Sequence, residues 1–478
     1  MYKFKTKPFK HQDRVFKQSW DRPNFALFME MGTGKTKIAI DTIGSLYLYG
    51  KINMAVIVAP KGVYDNWVFN EIPIHLPDTI KHKILRWQPN ITQTFKKEFV
   101  AFTEATGLLK LFVMNIEAFS TSKGAETASW LLKKHPKSIM IVDESTTIKN
   151  RKALRTKNIV KTGSLALYKR ILTGSPVTKS PMDLFSQVNF LSESLLGFNS
   201  YYAFQGRYAV IKRRTMGHRS FQEIAGYQRL DELNEKIEKF SSRVLKKDCL
   251  DLPEKVYVTR NVALTEEQTK HYAEMKKMAL TLFEDGKLAT TASVLTQIMR
   301  LQQICCGFIR DDDETIREIA SNRIKELMDI LNETSDKVII WASFVHDITT
   351  IRDAIAKEFG AKSVVTYYGE TPQDQRQAIV RKFQEEEEPR FFVGQPRTGG
   401  FGITLTAANT VVYYSNSYDL EIRLQSEDRA HRIGQKKSVT YIDLVSPNTI
   451  DVKIINALKD KIDIAGQVLG ESIESWIV

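Results

Sequence analysis

The chain has 478 residues, 42% of them hydrophobic and 26% charged, with a formal net charge of +13. That length supports about three domains of ordinary size around ample apolar cores, and the composition excludes a disordered or fibrous chain. No apolar run reaches about 18 residues, and the N-terminal MYKFKTK lacks the apolar core of an export signal, so neither a membrane span nor secretion is expected. The three cysteines, Cys249 and the vicinal pair Cys305 and Cys306, form neither a disulfide framework nor a zinc site, and a reduced cytosol is the natural setting. The excess of positive charge favours a polyanionic partner such as nucleic acid, although it also serves solubility.

In chain order, KPFKHQ (7–12) comes first, and its Gln12 has two readings: a reader of the adenine edge through its paired donor and acceptor, or an ordinary surface residue. The apolar run FALF (25–28) predicts a buried strand, and KIAIDTI (37–43) returns its apolar residues at helical spacing. Between them lies MEMGTGKT (29–36). Gly32, Thr33 and Gly34 form a tight turn whose backbone N–H groups can approach phosphate oxygens, with the helix dipole behind them. Lys35 would reach the β- and γ-phosphates, and the Thr36 hydroxyl would hold Mg²⁺. Met29 stands where the strict phosphate-loop pattern has its first glycine.

A strand at 54–60 leads into the loop KGVYDNW (61–67), where Trp67 reads as packing rather than base stacking, and 111–115 is a further strand. SIMIVDES (138–145) ends a buried strand in two adjacent carboxylates, which is costly unless they serve a cation or a reaction. In nucleotide hydrolysis Asp143 would bind Mg²⁺ and Glu144 would orient and deprotonate the attacking water; the alternative is a helix cap. In RILTGSP (170–176), Thr173 and Ser175 either sense the γ-phosphate or cap a helix.

From Leu191 to about Leu250 aromatics alternate with basic residues, among them Arg213 and Arg214, which either contact phosphates or form a solvated basic face. DLPEK (251–255) breaks helix and marks a boundary, and 265–306 is helical by period with a capping-box start at Thr265 and Gln268. Strands at 337–344, 364–369 and 390–394 alternate with helices and predict a second parallel sheet. The acidic runs 311–314 and 385–388 are solvated and would repel DNA. Then come TGGFG (398–402) and QSEDRAHRIGQ (425–435), in which Gln425, Arg429 and Arg432 have the i, i+4, i+7 spacing that puts all three on one helix face. Such a face suits a triphosphate, and equally a salt-bridged surface helix with Glu427 and Asp428.

The ordered series MGTGKT, VAPKGVYDNW, VMNIEAF, DESTTIKN, LTGSPVTKS, TGGFGITL and QSEDRAHRIGQ strongly resembles the superfamily 2 helicases, and within them the Swi/Snf-type DNA translocases. The resemblance runs from Phe9 to about Lys461, with two departures: Met29 where the family usually has an acid, and Thr146 where it has a histidine or similar residue. It implies an α/β fold of two tandem RecA-like parallel-sheet lobes with a helical insertion on the first. The implied domains are 1–190 (first lobe, ATP-binding), 191–255 (helical protrusion), 256–320 (helical inter-lobe segment) and 321–478 (second lobe). It implies ATP and Mg²⁺ bound by Gln12, Gly32, Thr33, Gly34, Lys35, Thr36 and Asp143 on one lobe and by Gly402 and Gln425 on the other. Lys35, Glu144, Arg429 and Arg432 would be catalytic, and Lys61, Asn115, Ser343 and Thr398 would contact the nucleic-acid backbone.

The implied activity is ATP-driven translocation on double-stranded DNA, remodelling or reannealing it. Strand separation on forked or branched DNA or on RNA is the alternative, and a nucleotide-switched binding protein is the third reading. A compact motor in the cytoplasm of a bacterial or virus-infected cell is expected, with no membrane partner.

Overall fold

The computed structural model describes residues 2–61, 63–216, 219–249, 252–284, 291–310, 315–399 and 403–469; the side chains of 214–216, 219–221, 280–284, 291–295 and 466 are not among those described. The chain divides into two compact units, one of Met1–Asp251 with Asp463–Ile473, the other of Leu252–Ile462 with Glu474–Val478. No helix among the described residues is long and apolar enough to cross a membrane.

The first unit contains β1 (Asn24–Met29), β2 (Met54–Ala59), β3 (His82–Arg86), β4 (Leu109–Asn115), β5 (Ser138–Asp143), β6 (Tyr168–Thr173), β7 (Ala209–Met216), β8 (Arg219–Tyr227) and β9 (Ser241–Val244). Seven of these form one sheet in the order β3-β4-β2-β5-β6-β1-β9, and every pairing in it is parallel. Strands buried on both faces need apolar residues at every position, which is why β1, β2, β4 and β5 read as near-continuous apolar runs. Successive side chains enter opposite cores. Ala26, Phe28, Val56 and Val58 pack on one face, and Phe25, Leu27, Ala55 and Ile57 on the other. Each such large side chain contributes about 1.5–3 kcal/mol on burial, and a one-residue slip would exchange the two sets between cores of different shape.

The insertion at 191–255 is helical at Tyr201–Tyr208 and Leu230–Glu238 and carries the antiparallel hairpin β7–β8 between them. Lys212 stands opposite Glu223 on that hairpin, a cross-strand charge pair that favours strand over helix in a stretch whose basic run obscures the alternation. The same segment then returns β9 to the main sheet beside β1, with Ser241 opposite Ala26.

The second unit contains β10 (Lys255–Asn261), β11 (Phe308–Arg310), β12 (Ile316–Glu318), β13 (Lys337–Trp341), β14 (Val364–Tyr367), β15 (Phe391–Gly394), β16 (Ala408–Tyr413) and β17 (Val439–Val445). Six form a second all-parallel sheet, β10-β17-β16-β13-β15-β14. Val338 and Ile340 of β13 face one core while Ile339 and Trp341 face the other. The stretch 256–320 is more than helix: β10 extends this sheet at its edge, and β11 and β12 pair after the helices Glu266–Glu284 and Thr291–Cys306.

Candidate active site

Strands β1, β6 and β5 are neighbours and run parallel, so the loops after them leave the same carboxyl edge of the first sheet. That edge is where ligands bind in open parallel sheets. After β1 the chain turns through Gly32 (φ +81°) and Gly34 (φ +92°) into the helix Lys35–Leu48. Both glycines are left-handed, a conformation that costs other residues about 1–2 kcal/mol. A Cβ on Gly34 would also stand 2.2 Å from Gln12 Nε2. The first-turn N–H groups of that helix have no intrahelical acceptors and no acidic side chain among them, the arrangement that accepts an anion.

The turn is braced from outside. Gln12 is buried, so it is not an ordinary surface residue: its Oε1 accepts the Phe9 N–H at 3.0 Å and its Nε2 donates to the Thr33 carbonyl at 3.2 Å. His11 donates from its ring to the same carbonyl at 2.8 Å. Inside the loop, Lys35 Nζ donates to the carbonyls of Met29 (2.8 Å) and Glu30 (3.2 Å), and Thr33 Oγ1 donates to Glu30 at 2.7 Å.

After β5, Asp143 is buried and accepts two hydrogen bonds, from Trp67 Nε1 to Oδ2 at 2.9 Å and from the Glu144 N–H to Oδ1 at 3.0 Å. Burial pushes its carboxyl up, while the Trp67 N–H, the Lys35 ammonium and the Glu144 N–H pull it back toward the charged form. Glu144 sits at φ 49°, ψ 59°, a left-handed conformation that a glutamate holds only when its surroundings impose it. After β6, Thr173 Oγ1 accepts the Ser175 N–H at 3.1 Å, so this hydroxyl shapes its own turn.

The donor set fits Mg²⁺ with a triphosphate. Asp143 and the Thr36 hydroxyl are hard oxygen donors, and each Asp143 oxygen retains a lone pair beyond the bond it accepts. Among the described residues there is no cluster of three or more His, Cys, Asp or Glu side chains that could hold a metal alone. An ion completed by phosphate oxygens and water is how Mg²⁺ is ordinarily bound.

Lys61 and Asn115 lie near each other at the ends of paired strands, since Ala59 of β2 stands opposite Asn115 of β4. Lys61 is exposed; Asn115 is buried, with Nδ2 on Glu117 at 3.0 Å and Oδ1 without a partner. Arg213 is exposed on β7, in the hairpin β7–β8 that is not part of this sheet, and the side chain of Arg214 lies outside those described.

In the second unit the carboxyl edge holds Ser343 and Thr398, joined through Gln395. Gln395 Nε2 donates to the Ser343 carbonyl at 3.1 Å and its Oε1 accepts from Thr398 Oγ1 at 3.3 Å. Ser415 closes the group, accepting the Ser343 N–H on its Oγ at 2.8 Å. Gly402 lies outside the described residues.

One expectation is corrected. Gln425, Arg429 and Arg432 do not share a helix, because the helix Leu420–Glu427 ends before the arginines, with Asp428 as its C-cap. The backbone there passes into turns, with Arg429 N–H on Ser426 and Ala430 N–H on Glu427. Gln435 draws the chain inward, its amide donating to the carbonyls of Thr406, Ala408 and Ala430. The turns nevertheless converge the two guanidiniums: Arg429 Nη1 (3.1 Å) and Arg432 Nη1 (3.3 Å) both donate to the Ile403 carbonyl. Arg429 Nε also holds the Gln425 carbonyl at 2.9 Å. The carboxylate of Glu427 is committed elsewhere, to Arg423, Lys255 and Tyr257.

Sequence reading missed Trp67 as a polar group, and it missed Gln187, Gln395 and Ser415 altogether. For Trp67 there was a usable signal: a buried indole N–H nearly always finds an acceptor. The glutamines carry no signal for their long-range partners, Ser145 and Pro176 for Gln187 and Ser343 for Gln395, because these come from loops distant in sequence.

Comparison with known proteins adds to this geometry. The model of the SNF2-related domain matches residues 12–308, and that of the Helicase conserved C-terminal domain matches residues 322–434. A protein named uncharacterized ATP-dependent helicase from Mycoplasma pneumoniae is 25% identical over 93% of this chain and 40% of its own length. The SWI/SNF chromatin-remodeling complex subunit snf22 of Schizosaccharomyces pombe is 27% identical over 93% of this chain and 27% of its own. The DNA annealing helicase and endonuclease ZRANB3 of Bos taurus is 27% identical over 92% of this chain and 38% of its own. This chain therefore spans two fifths or less of the length of these relatives. A solved structure of the Sulfolobus solfataricus SWI2/SNF2 ATPase core in complex with dsDNA aligns with 99% of this chain and 97% of its own, at 24% identity and a TM-score of 0.43.

Proposed function

Because this chain belongs to the SNF2-related domain family, we propose that it is an ATP-hydrolysing motor that moves along double-stranded DNA and remodels or reanneals it. The observation that carries the reading is the convergence, at one sheet edge, of a glycine turn braced by Gln12 and His11 with a buried Asp143 and an adjacent Glu144. The backbone N–H groups of 32–36 and the Lys35 ammonium hold the β- and γ-phosphates. Thr36 and Asp143 would hold Mg²⁺, which would supply positive charge beside the transferring phosphoryl group. Glu144 takes the proton of the attacking water as the new P–O bond forms and the bond to the leaving ADP breaks. Arg429 and Arg432 engage the triphosphate during turnover, where an arginine is worth about 10³–10⁵ in rate. Lys61, Asn115, Arg213, Arg214, Ser343 and Thr398 contact the DNA backbone, and the net charge of +13 supports a polyanionic track.

The test is steady-state ATPase activity without polymer and with single-stranded, duplex and forked DNA and with RNA, with Glu144→Gln as the blank. Strong stimulation by plain duplex, together with displacement of a third strand from a triplex without separation of the duplex, supports translocation. Preference for forks, with release of a paired strand, replaces it with strand separation. No stimulation by any polymer sinks the motor.

A further inference from the structure

Beyond the helix Leu420–Glu427 the backbone that carries Arg429 and Arg432 runs in turns, so its course depends on the side chains that anchor it. Anchors from this stretch reach the first residues of the second unit. Glu427 is 3% exposed, and its Oε2 accepts from Lys255 Nζ at 3.0 Å and from the Tyr257 hydroxyl at 2.7 Å. His431, which stands between the two arginines in the chain, donates from Nε2 to the Pro253 carbonyl at 2.7 Å.

Lys255 and Tyr257 are two residues apart on β10, so their side chains leave the same face of the strand. The strand is fixed in turn by β17. The Val439 N–H donates to the Glu254 carbonyl at 3.1 Å, and Tyr257 stands opposite Tyr441 with the rings stacked 5.2 Å apart. The Tyr441 hydroxyl donates to the Glu427 carbonyl at 2.9 Å. A cross-strand pair of tyrosines therefore holds Glu427 by its carboxylate and by its backbone. Arg423 Nε takes the other carboxylate oxygen at 2.8 Å. A buried carboxylate shared in this way has no cheap alternative position, because moving it leaves a charge unpaired. At the edge of the sheet β10 adds little to either core, with Val256 42% and Val258 37% exposed, and its polar grip on 427–431 is its larger contribution.

Resting on the ATPase reading above, in which Arg429 and Arg432 engage the triphosphate, we infer that Lys255 and Tyr257 are positioning residues for those two arginines, acting through Glu427, while the Pro253 carbonyl acts through His431. A guanidinium lies at the end of a long side chain, so a small shift of its backbone misplaces the charge, and a misplacement of about 1 Å can cost about 10²-fold in rate. Ground-state binding of ATP rests on the glycine turn and Lys35, so the loss falls on kcat rather than KM.

The experiment measures kcat and KM for ATP on the full chain with duplex DNA present, with melting temperatures alongside. The variants are Lys255→Met, Lys255→Arg, Tyr257→Phe, Arg432→Ala and Lys255→Met combined with Arg432→Ala. Lys255→Met should lower kcat about tenfold with KM little changed, and Tyr257→Phe, which keeps the ring stack, about threefold. Lys255→Arg should keep most of the wild-type rate, because it restores the charge and the donors. In the Arg432→Ala background Lys255→Met should cost no more than about threefold, since residues that act through one group do not add. An equal loss in both backgrounds overturns the inference, as does an unchanged kcat in Lys255→Met and Tyr257→Phe however far the melting temperature falls. If Lys255→Met does not fold, Tyr257→Phe with and without Arg432→Ala makes the same comparison. If Arg432→Ala turns over at the wild-type rate, the reading of the arginines falls and this inference with it, and a wild type without ATPase activity removes the motor as well. A slow Arg432→Ala with unaffected strand variants removes the inference alone.

Discussion

Trp67 Nε1 donates to Asp143 Oδ2 at 2.9 Å, joining residues 76 apart in sequence through an indole with no exposed surface. Trp67 opens a single wide π-turn, Trp67–Glu71, in which the Ile72 N–H reaches back to the Trp67 carbonyl. Such turns concentrate at functional sites, and this one sets the indole against a carboxylate proposed to bind metal. The bond also offsets part of the burial that pushes Asp143 up.

Trp67→Phe keeps most of the packing and removes the donor. ATP turnover should fall by about 10- to 100-fold, for the roughly 1.5–3 kcal/mol of a hydrogen bond to a charged group, and the Mg²⁺ concentration giving half-maximal rate should rise. Steady-state kinetics over a Mg²⁺ titration measures both. A rate unchanged at all Mg²⁺ concentrations would show the indole to be packing only.

Glu144→Gln should retain ATP binding and lose turnover by about 10²–10⁴, the range of a general base. Glu144→Gly should be as inactive without lowering the unfolding midpoint, because glycine relieves the left-handed backbone at this position. Nucleotide-binding fluorescence, single-turnover kinetics and denaturant unfolding separate the two effects.

Gly34→Ala places a methyl in a left-handed position and against Gln12 Nε2. ATP binding and stability should both fall, stability by about 1–3 kcal/mol. Adding Gln12→Ala removes the clash, so part of the stability should return, while ATP binding should not. A binding isotherm and a melting curve on the single and double variants decide it.

Glu427 is buried between Arg423 (2.8 Å) and Lys255 (3.0 Å). Burial pushes its carboxyl up, but Lys255, Arg423 and the Tyr257 hydroxyl outweigh it and hold the group at about 2. A folded value below the unfolded one, about 4.3, means stability that is fully present above that pH and lost as pH falls toward 2. Glu427→Gln should destabilise the protein by about 3 kcal/mol at pH 7, since the half-buried Lys255 loses its charge partner while the buried Arg423 keeps only Asp443, and the gap from wild type should close in acid. Unfolding followed from pH 7 down to about 2.5 tests the sign.

Local pattern decided a great deal of this protein. The apolar runs of β1, β2, β5, β13 and β15, the helix after Gly34 and the paired carboxylates at 143 and 144 are each written within a few residues. Strand and helix periodicity, glycine conformation and the cost of burying bare acids are short-range effects that need no fold to be read. The cradle for a phosphate was visible for that reason. Tertiary structure alone decided what holds that cradle and its partners in place. Strand order puts β6 between β5 and β1, and so brings Gln187 between Ser145 and Pro176. The helix ends at Glu427, before Arg429, and turns beyond it bring the two guanidiniums together at the Ile403 carbonyl, where a single helical face was expected. Polar side chains choose partners by where strands lie in space, and the spacing of residues along the chain does not contain that distance.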